Sequence, residues 1–223
     1  MELIRTLLLS GENNHDWERS APYCKALLEE SGRFAVDLSL RPEDALADEE
    51  TLAGYDLLFV DYNGTAWGEK AQANFERAVG GGTGLVVLHA ANNAFPDWPA
   101  YQRMLGLSFQ EEQSGHGDFH EFEVRIEDAG HPAVSGLADF VTCDELYHGM
   151  VPVRARLIRY WLQHTRIPLS AGPDGASRSC LPFNTGGAAC STCCWVMSGR
   201  MTSMPATAGI SWLPWRMRGS GPA

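Results

Sequence analysis

From Gly84 to Leu88 the chain is apolar without interruption, and it then changes abruptly to His89-Ala90-Ala91-Asn92-Asn93. A run this short, entered through Gly80-Gly81-Gly82 and Gly84, is too brief for an ordinary helix. It reads as a strand buried on both faces, the kind that parallel sheets contain. Ligands of open α/β sheets bind beyond the carboxyl ends of such strands. The stretch therefore constrains the fold class and places His89 and Asn92 at the floor of a site.

The residues before it repeat the pattern. We expect strands at Ile4 to Ser10, Phe34 to Leu40, Asp56 to Tyr62 and Leu85 to Leu88. Helices are expected at Pro22 to Glu30, with Ser20 as N-cap and Gly32 just past the end, and at Pro42 to Leu52, Glu69 to Val79 and Trp98 to Leu105. Strand and helix alternate with short links, which predicts an α/β fold: a doubly wound, mostly parallel sheet flanked by helices. Beyond residue 106, Phe119 to Glu127 alternates as a strand and Phe140 to Tyr147 reads as another. Arg154 to Gln163 reads as a short helix, and the chain shows no internal repeat.

Charge divides the chain near residue 150. Residues 1–150 hold 27 acidic and 9 basic residues, whereas residues 151–223 hold one acidic residue, Asp174, and eight arginines. Four of the six cysteines also fall in the later part. We therefore expect an α/β domain over 1–150 and a separate, poorly ordered segment over 151–223. The net charge of −11 argues against nucleic acid and acidic membrane surfaces as partners. No run is long and apolar enough to span a bilayer, and Met1 to Ser10 reads as a strand rather than a signal peptide, so a cytoplasmic location is the default expectation.

Three predicted strand ends carry polar groups to one rim of the sheet: the loop through His15, the Asn63-Gly64 turn, and the His89 to Asn92 segment. Imidazoles and amides gathered there suit recognition of a polyhydroxylated ligand and proton transfer near neutral pH. His89, where a strand gives way to a turn, is the candidate general base; its ordinary alternative is a histidine that orders the turn. His116 and His120 share a face if extended and are candidates for substrate contact, the alternative being a solvated lid. A metal site joining them to His15 or His89 is a weaker reading. In Asp144-Glu145-Leu146-Tyr147-His148, Glu145 is favoured as the acid facing the site, because Tyr147 would share its face. Cys24 reads as buried in a helix rather than reactive. Cys190, Cys193 and Cys194 resemble half of a zinc site, with no second pair after them.

These residues resemble the trehalose-utilisation, or ThuA-like, family over about residues 3–150. The matching pieces are Leu9-Ser10-Gly11 with His15-Asp16-Trp17, Asp61-Tyr62-Asn63-Gly64 with Trp67, Gly84 to Phe95 with Trp98, His131-Pro132, Gly136-Leu137, and Asp144 to His148. The resemblance implies a class I glutamine amidotransferase-like, flavodoxin-like fold. Its cysteine elbow is occupied here by His89, so glutaminase chemistry is not expected, since imidazole does not replace a thiolate in acyl transfer. It also implies disaccharide or keto-sugar metabolism, often beside an NAD-dependent sugar oxidoreductase. The catalytic candidates are then His89 and Glu145. The substrate-binding candidates are His15, Asn63, Gly64, Asn92, His116, His120 and Tyr147. No metal is assigned, the cofactor is unknown, and a homo-oligomer is compatible with the sequence.

Similarity stops after Met150. Reading the tail's codons from their third base permits, from Leu157 onward, one peptide with strand alternation and a glycine turn, so we read the tail as the product of a frame change. The sheet is then expected to lack its last strands, and an inactive relative becomes one reading of the chain beside an active one. Three functions stay open: a sugar isomerase or hydrolase centred on His89, a non-catalytic sugar-binding or interaction module, and a metal-dependent hydrolase.

Overall fold

The computed structural model describes residues 2–105, 107–118, 120–126, 136–144, 146–152 and 162–165. Four strands form its central sheet: β1 (Ile4–Leu9), β2 (Phe34–Ser39), β3 (Leu57–Val60) and β4 (Gly84–Val87). All pair parallel, in the order β2-β1-β3-β4. Register aligns Leu9 with Val60 and Val60 with Val87, so β1, β3 and β4 end together. The chain order reverses between β1 and β3, the position where doubly wound folds open a crevice.

Period-two alternation explains how the helices cover both faces. Leu7, Leu9, Leu58, Val60, Leu85 and Val87 point to one face. There they meet α4 (Glu69–Gly81), α5 (Pro99–Leu105) and the two short helices α2 (Pro42–Leu46) and α3 (Glu49–Leu52). Leu8, Leu57, Phe59 and Val86 point to the other and pack on Ala21 and Leu28 of α1 (Trp17–Glu30). Fully burying side chains of this size stabilises by roughly 1.5–3 kcal/mol each, which fixes the strand register from both sides. Trp67, Phe75, Phe95, Trp98 and Tyr101 form a buried aromatic cluster on the first face. These rings are core, closed to a stacking ligand.

Several expected boundaries shift for identifiable reasons. α1 begins at Trp17, five residues before Pro22, because the Asp16 carbonyl already accepts from Arg19 and Ser20. Ser20 lies inside the helix, and its hydroxyl donates to Asp61 at 2.7 Å instead of capping. The helix expected over Pro42 to Leu52 is two helices. Asp48 interrupts it and caps the second, accepting from Glu50 N at 3.2 Å and Thr51 Oγ1 at 2.5 Å.

After α5 the pairing is antiparallel and in small pieces. The strands are β5 (Leu107–Ser108), β6 (Gly115–His116), β7 (His120–Ile126), β8 (Phe140–Asp144), β9 (Tyr147–His148), β10 (Val151–Pro152) and β11 (Leu162–Thr165). β7 lies between β8 and β11, β5 pairs with β10, and β6 pairs with β9. The strand expected over Phe140 to Tyr147 is thus interrupted: β8 stops at Asp144, and Tyr147 belongs to a separate ribbon opposite His116. Leu162 and Gln163, expected in a helix, are in a strand, where Leu162 pairs with Ile126. His131, Pro132, Glu145, the cysteines from Cys180 onward and, apart from residues 162–165, the expected frame-changed tail lie outside the described residues.

Candidate active site

The site is built where β1, β3 and β4 end. Gly11 leaves β1 with φ of 113°, a left-handed conformation closed to most side chains, and a Cβ there would strike the Leu40 carbonyl. The chain then runs through Glu12, Asn13, Asn14 and His15 into α1. β3 delivers Asp61, Tyr62 and Asn63. β4 delivers a single 3₁₀ turn, His89–Asn93, whose first residue also has positive φ, 46°. A non-glycine residue held there stores strain of about 1–3 kcal/mol, and such residues concentrate at functional sites.

That turn aims the His89 ring at His15. Their Nε2 atoms lie 2.8 Å apart, with ring centroids at 4.2 Å. On the other side of the imidazole, His89 Nδ1 is 3.2 Å from the Tyr147 hydroxyl. Both histidines are half-buried, and Tyr147 is buried. Tyr147 is itself held between Phe109, at 5.5 Å between ring centroids, and the exposed His116, at 5.9 Å. Two facing nitrogens at hydrogen-bond distance hold one proton between them: one donates and the other accepts. His15, His89 and Tyr147 thus form a continuous line of proton-exchanging groups.

Behind it lies Asp61, 3% exposed. One oxygen accepts from Ser20 Oγ at 2.7 Å and the other from Asn13 Nδ2 at 3.0 Å. Asn13 Oδ1 in turn accepts the His15 backbone N–H at 3.0 Å. Burial pushes the Asp61 carboxyl above its ordinary range, opposed by the Ser20 hydrogen bond and then by the charge of His15. Cys24, expected to be buried and inert, is half-buried; its thiol is pushed up to about 12 by desolvation and then by the Asp61 charge.

Amides tie the three loops together. Asn63 Oδ1 accepts from Asn14 N at 3.0 Å, and Asn63 Nδ2 donates to Asn14 Oδ1 at 2.7 Å and to Asn93 Oδ1 at 3.1 Å. One side chain therefore joins the loops of β1, β3 and β4. Glu12 makes a second tie: its carboxylate accepts from Thr65 N at 2.9 Å, Thr65 Oγ1 at 3.2 Å and the Tyr62 hydroxyl at 3.0 Å. The Thr65 backbone N–H, followed by the Tyr62 hydroxyl, holds Glu12 below the usual carboxylate range. Gly64 lies beneath that carboxylate, where a Cβ would run into it.

Of the residues expected in the site, the structure brings together His15, His89 and Tyr147, with the His116 ring at the edge, tilted 33° to that of Tyr147. Asn63 and Gly64 lie beside them as parts of the loop ties. Asn92 is fully buried, and its Oδ1 accepts from Phe109 N at 2.8 Å, so it positions the segment behind Tyr147. His120 is on β7, its Nδ1 2.6 Å from the Asp118 carbonyl and its ring against Phe122. Among the described residues, no three His, Cys, Asp or Glu side chains are grouped to hold a metal ion, and no helix is long and apolar enough to cross a membrane. Asp61, Glu12, Asn13, Asn14 and Asn93 are components that the sequence did not single out. The one local signal was the density of amides after β1 and β4.

A parallel sheet in this order, with its polar groups at the switch point, defines an α/β protein of the doubly wound class. Within it, the chain belongs to the ThuA family, described as trehalose utilisation, whose model matches residues 5–169. That match runs past the limit near residue 150 read from the motifs. The chain is similar to a ThuA-like protein of known crystal structure from Parabacteroides merdae, with 32% identity and a TM-score of 0.60, covering 67% of this chain and 64% of that one. A ThuA-like protein from Bacteroides uniformis shares the fold, at 20% identity and a TM-score of 0.54, over 65% of this chain and 60% of that one. The chain thus spans under two thirds of the length of either solved relative. Comparison with curated proteins gives no match.

Proposed function

We propose that this chain is a sugar-binding enzyme of disaccharide or keto-sugar metabolism that moves protons through His89. The carrying observation is the line from His15 to Tyr147, in which both ring nitrogens of His89 face a proton-exchanging group. Imidazole exchanges a proton at one nitrogen as it releases one at the other. In one register the Tyr147 hydroxyl donates to His89 Nδ1, and His89 Nε2–H donates to His15. In the other, His15 donates to His89 Nε2, and His89 Nδ1–H donates to Tyr147. Passing from the first to the second takes up one proton at the Tyr147 hydroxyl and releases one from His15 Nδ1, so the line ends without net charge; the reverse passage does the opposite.

Such a line suits a reaction that removes a proton from a sugar carbon or hydroxyl and returns one nearby. Isomerisation of a keto-sugar requires this and no oxidant, and hydrolysis uses the same groups to protonate a leaving oxygen and deprotonate water. The family's trehalose-utilisation description supports a disaccharide as substrate class. Pairing with an NAD-dependent sugar oxidoreductase that makes the keto-sugar fits the same reading.

Turnover of keto-disaccharides, with calorimetry on the same sugars and their unoxidised parents, tests the proposal. The same assays on a chain carrying the alternative-frame peptide from Leu157 onward measure what the tail contributes. We expect turnover that His89→Ala abolishes while the fold is kept. Binding without turnover in both chains would assign a sugar-binding module instead, and turnover that requires added metal would assign a metal-dependent hydrolase.

A further inference from the structure

We propose that Asn63-Gly64 is a modification site of this chain: a point of spontaneous deamidation that the three-loop tie holds shut, and whose conversion to aspartate or isoaspartate disconnects the loops of β1, β3 and β4. The inference does not depend on the sugar-binding reading.

Asn63 alone among the chain's asparagines precedes a glycine. Such a pair is labile, because glycine has no side chain to keep its backbone nitrogen away from the preceding carboxamide. The structure calls for both members. Asn63 Oδ1 accepts the Asn14 backbone N–H at 3.0 Å, while Asn63 Nδ2 donates to Asn14 Oδ1 at 2.7 Å and to Asn93 Oδ1 at 3.1 Å. A carboxamide does both, and a carboxylate does not. At residue 64 a Cβ would overlap the Glu12 carboxylate. That carboxylate is itself fixed by Thr65 and Tyr62, so it yields only by giving up those hydrogen bonds. The site is thus built around a labile dipeptide.

The step needs no co-reactant but water. The Gly64 backbone nitrogen, losing its proton, attacks Asn63 Cγ. The N–Cγ bond forms, the Cγ–Nδ2 bond breaks, and Nδ2 leaves with that proton as ammonia. Water then opens the cyclic imide. Attack at Cγ breaks the new bond and gives aspartate. Attack at the main-chain carbonyl breaks the original peptide bond and gives isoaspartate, with the chain routed through Cγ. Nothing is oxidised or reduced.

The fold opposes the first step. Attack requires the carboxamide to rotate toward the Gly64 nitrogen, and all three hydrogen bonds of Asn63 resist that rotation. Their partners lie on two other loops, so rotation follows a local opening of the site. The rate is then the intrinsic rate multiplied by the opened fraction. Conversion is not undone by reclosing. Aspartate donates to neither Asn14 Oδ1 nor Asn93 Oδ1, and isoaspartate also lengthens the main chain between Asn63 and Thr65.

Peptide mapping by mass spectrometry tests this on the full-length chain, incubated at mildly alkaline pH with and without denaturant. In denaturant we expect residue 63 to convert before any other asparagine, and Gly64→Ala to slow it. The folded wild type should convert at residue 63 roughly tenfold more slowly or less. Folded Asn93→Ala, which removes one acceptor of the tie, should convert several-fold faster than folded wild type. If that variant does not fold, Asn14→Ala, which removes the other side-chain acceptor, takes its place. Converted protein, separated by its added negative charge, should melt at a lower temperature than unconverted protein. Another asparagine converting first in denaturant, or no slowing by Gly64→Ala, overturns the assignment of the site. Equal rates at residue 63 in folded and denatured chain, or a folded acceptor variant as protected as wild type, overturns the role of the tie. Converted protein that melts like unconverted protein overturns the disconnection. No sugar is turned over in any of these measurements, so their failure leaves the enzymatic reading standing, and the failure of that reading leaves them intact.

Discussion

His15 Nε2 and His89 Nε2 face each other across 2.8 Å, although 74 positions separate them in the chain. The contact exists because β1 and β4 flank β3 and end at the same level. Neither histidine would gain its role from the other on a sheet of different order.

The Tyr147 hydroxyl closes the other end of that line. We expect Tyr147→Phe to lower kcat on a keto-disaccharide by roughly tenfold or more, with little change in KM, as loss of one general acid–base group does. The ring still packs on Phe109, so the melting temperature should fall only slightly. Steady-state kinetics with thermal unfolding checks both parts.

At His89 the backbone itself discriminates among substitutions. With φ of 46°, the position tolerates asparagine far better than a β-branched residue. His89→Val should therefore be less stable than His89→Asn by about 1–2 kcal/mol, although both lose the imidazole. Denaturant unfolding of the two variants measures the difference, and equal stability would mean that the turn relaxes.

Asn63 holds three loops with one amide. Asn63→Ala should cost about 1–3 kcal/mol and impair activity through misplacement of His15 and His89. Asn63→Asp should not rescue it, since a carboxylate cannot donate to the Asn14 and Asn93 carbonyl oxygens. Activity in the aspartate variant close to wild type would show that these donations do not matter.

Gly64 and Glu12 are coupled by contact. Gly64→Ala should destabilise by about 1–3 kcal/mol, because its methyl group enters the space of the Glu12 carboxylate. In a Glu12→Ala background the same substitution should cost less, so a double-mutant cycle must depart from additivity.

The two carboxylates of the site give stability opposite dependences on pH. Glu12 titrates below its ordinary value of 4.5, so its contribution is present above that value and is lost as pH falls through the depressed one. Asp61 titrates above its ordinary 3.8, so the folded state takes up its proton first and stability declines as pH rises through that window. Glu12→Gln should flatten the acid limb of the stability profile. An unchanged acid limb would mean that the Thr65 and Tyr62 hydrogen bonds do not hold Glu12 in its charged form.

Much of the sheet was legible because buried parallel strands leave a plain trace: Leu57–Val60 and Gly84–Val87 are apolar on every residue and stop at polar ones. The His15 and His89 loops were legible for the same reason. Asp61 and Glu12 were not, because their meaning depends on what lies opposite. An aspartate after a strand is ordinary until Ser20 and Asn13 are found against it. A glutamate in a polar loop is ordinary until Gly64 is found beneath it. The start of α1 was hidden by Pro22, which suggests a first turn yet lies inside the helix, and Asp48 divides a segment whose composition is helical throughout.

The amide of Asn63 has a further consequence, for the order of folding. It joins residues 49 positions apart on one side and 30 on the other, so no single segment of the chain contains the site in miniature. A molecule that has wound its helices but not yet aligned β1, β3 and β4 has every necessary side chain and no proton line. Competence therefore arrives with the closing of long loops, among the slower events of folding, and any lesion that delays strand alignment should delay function by the same interval.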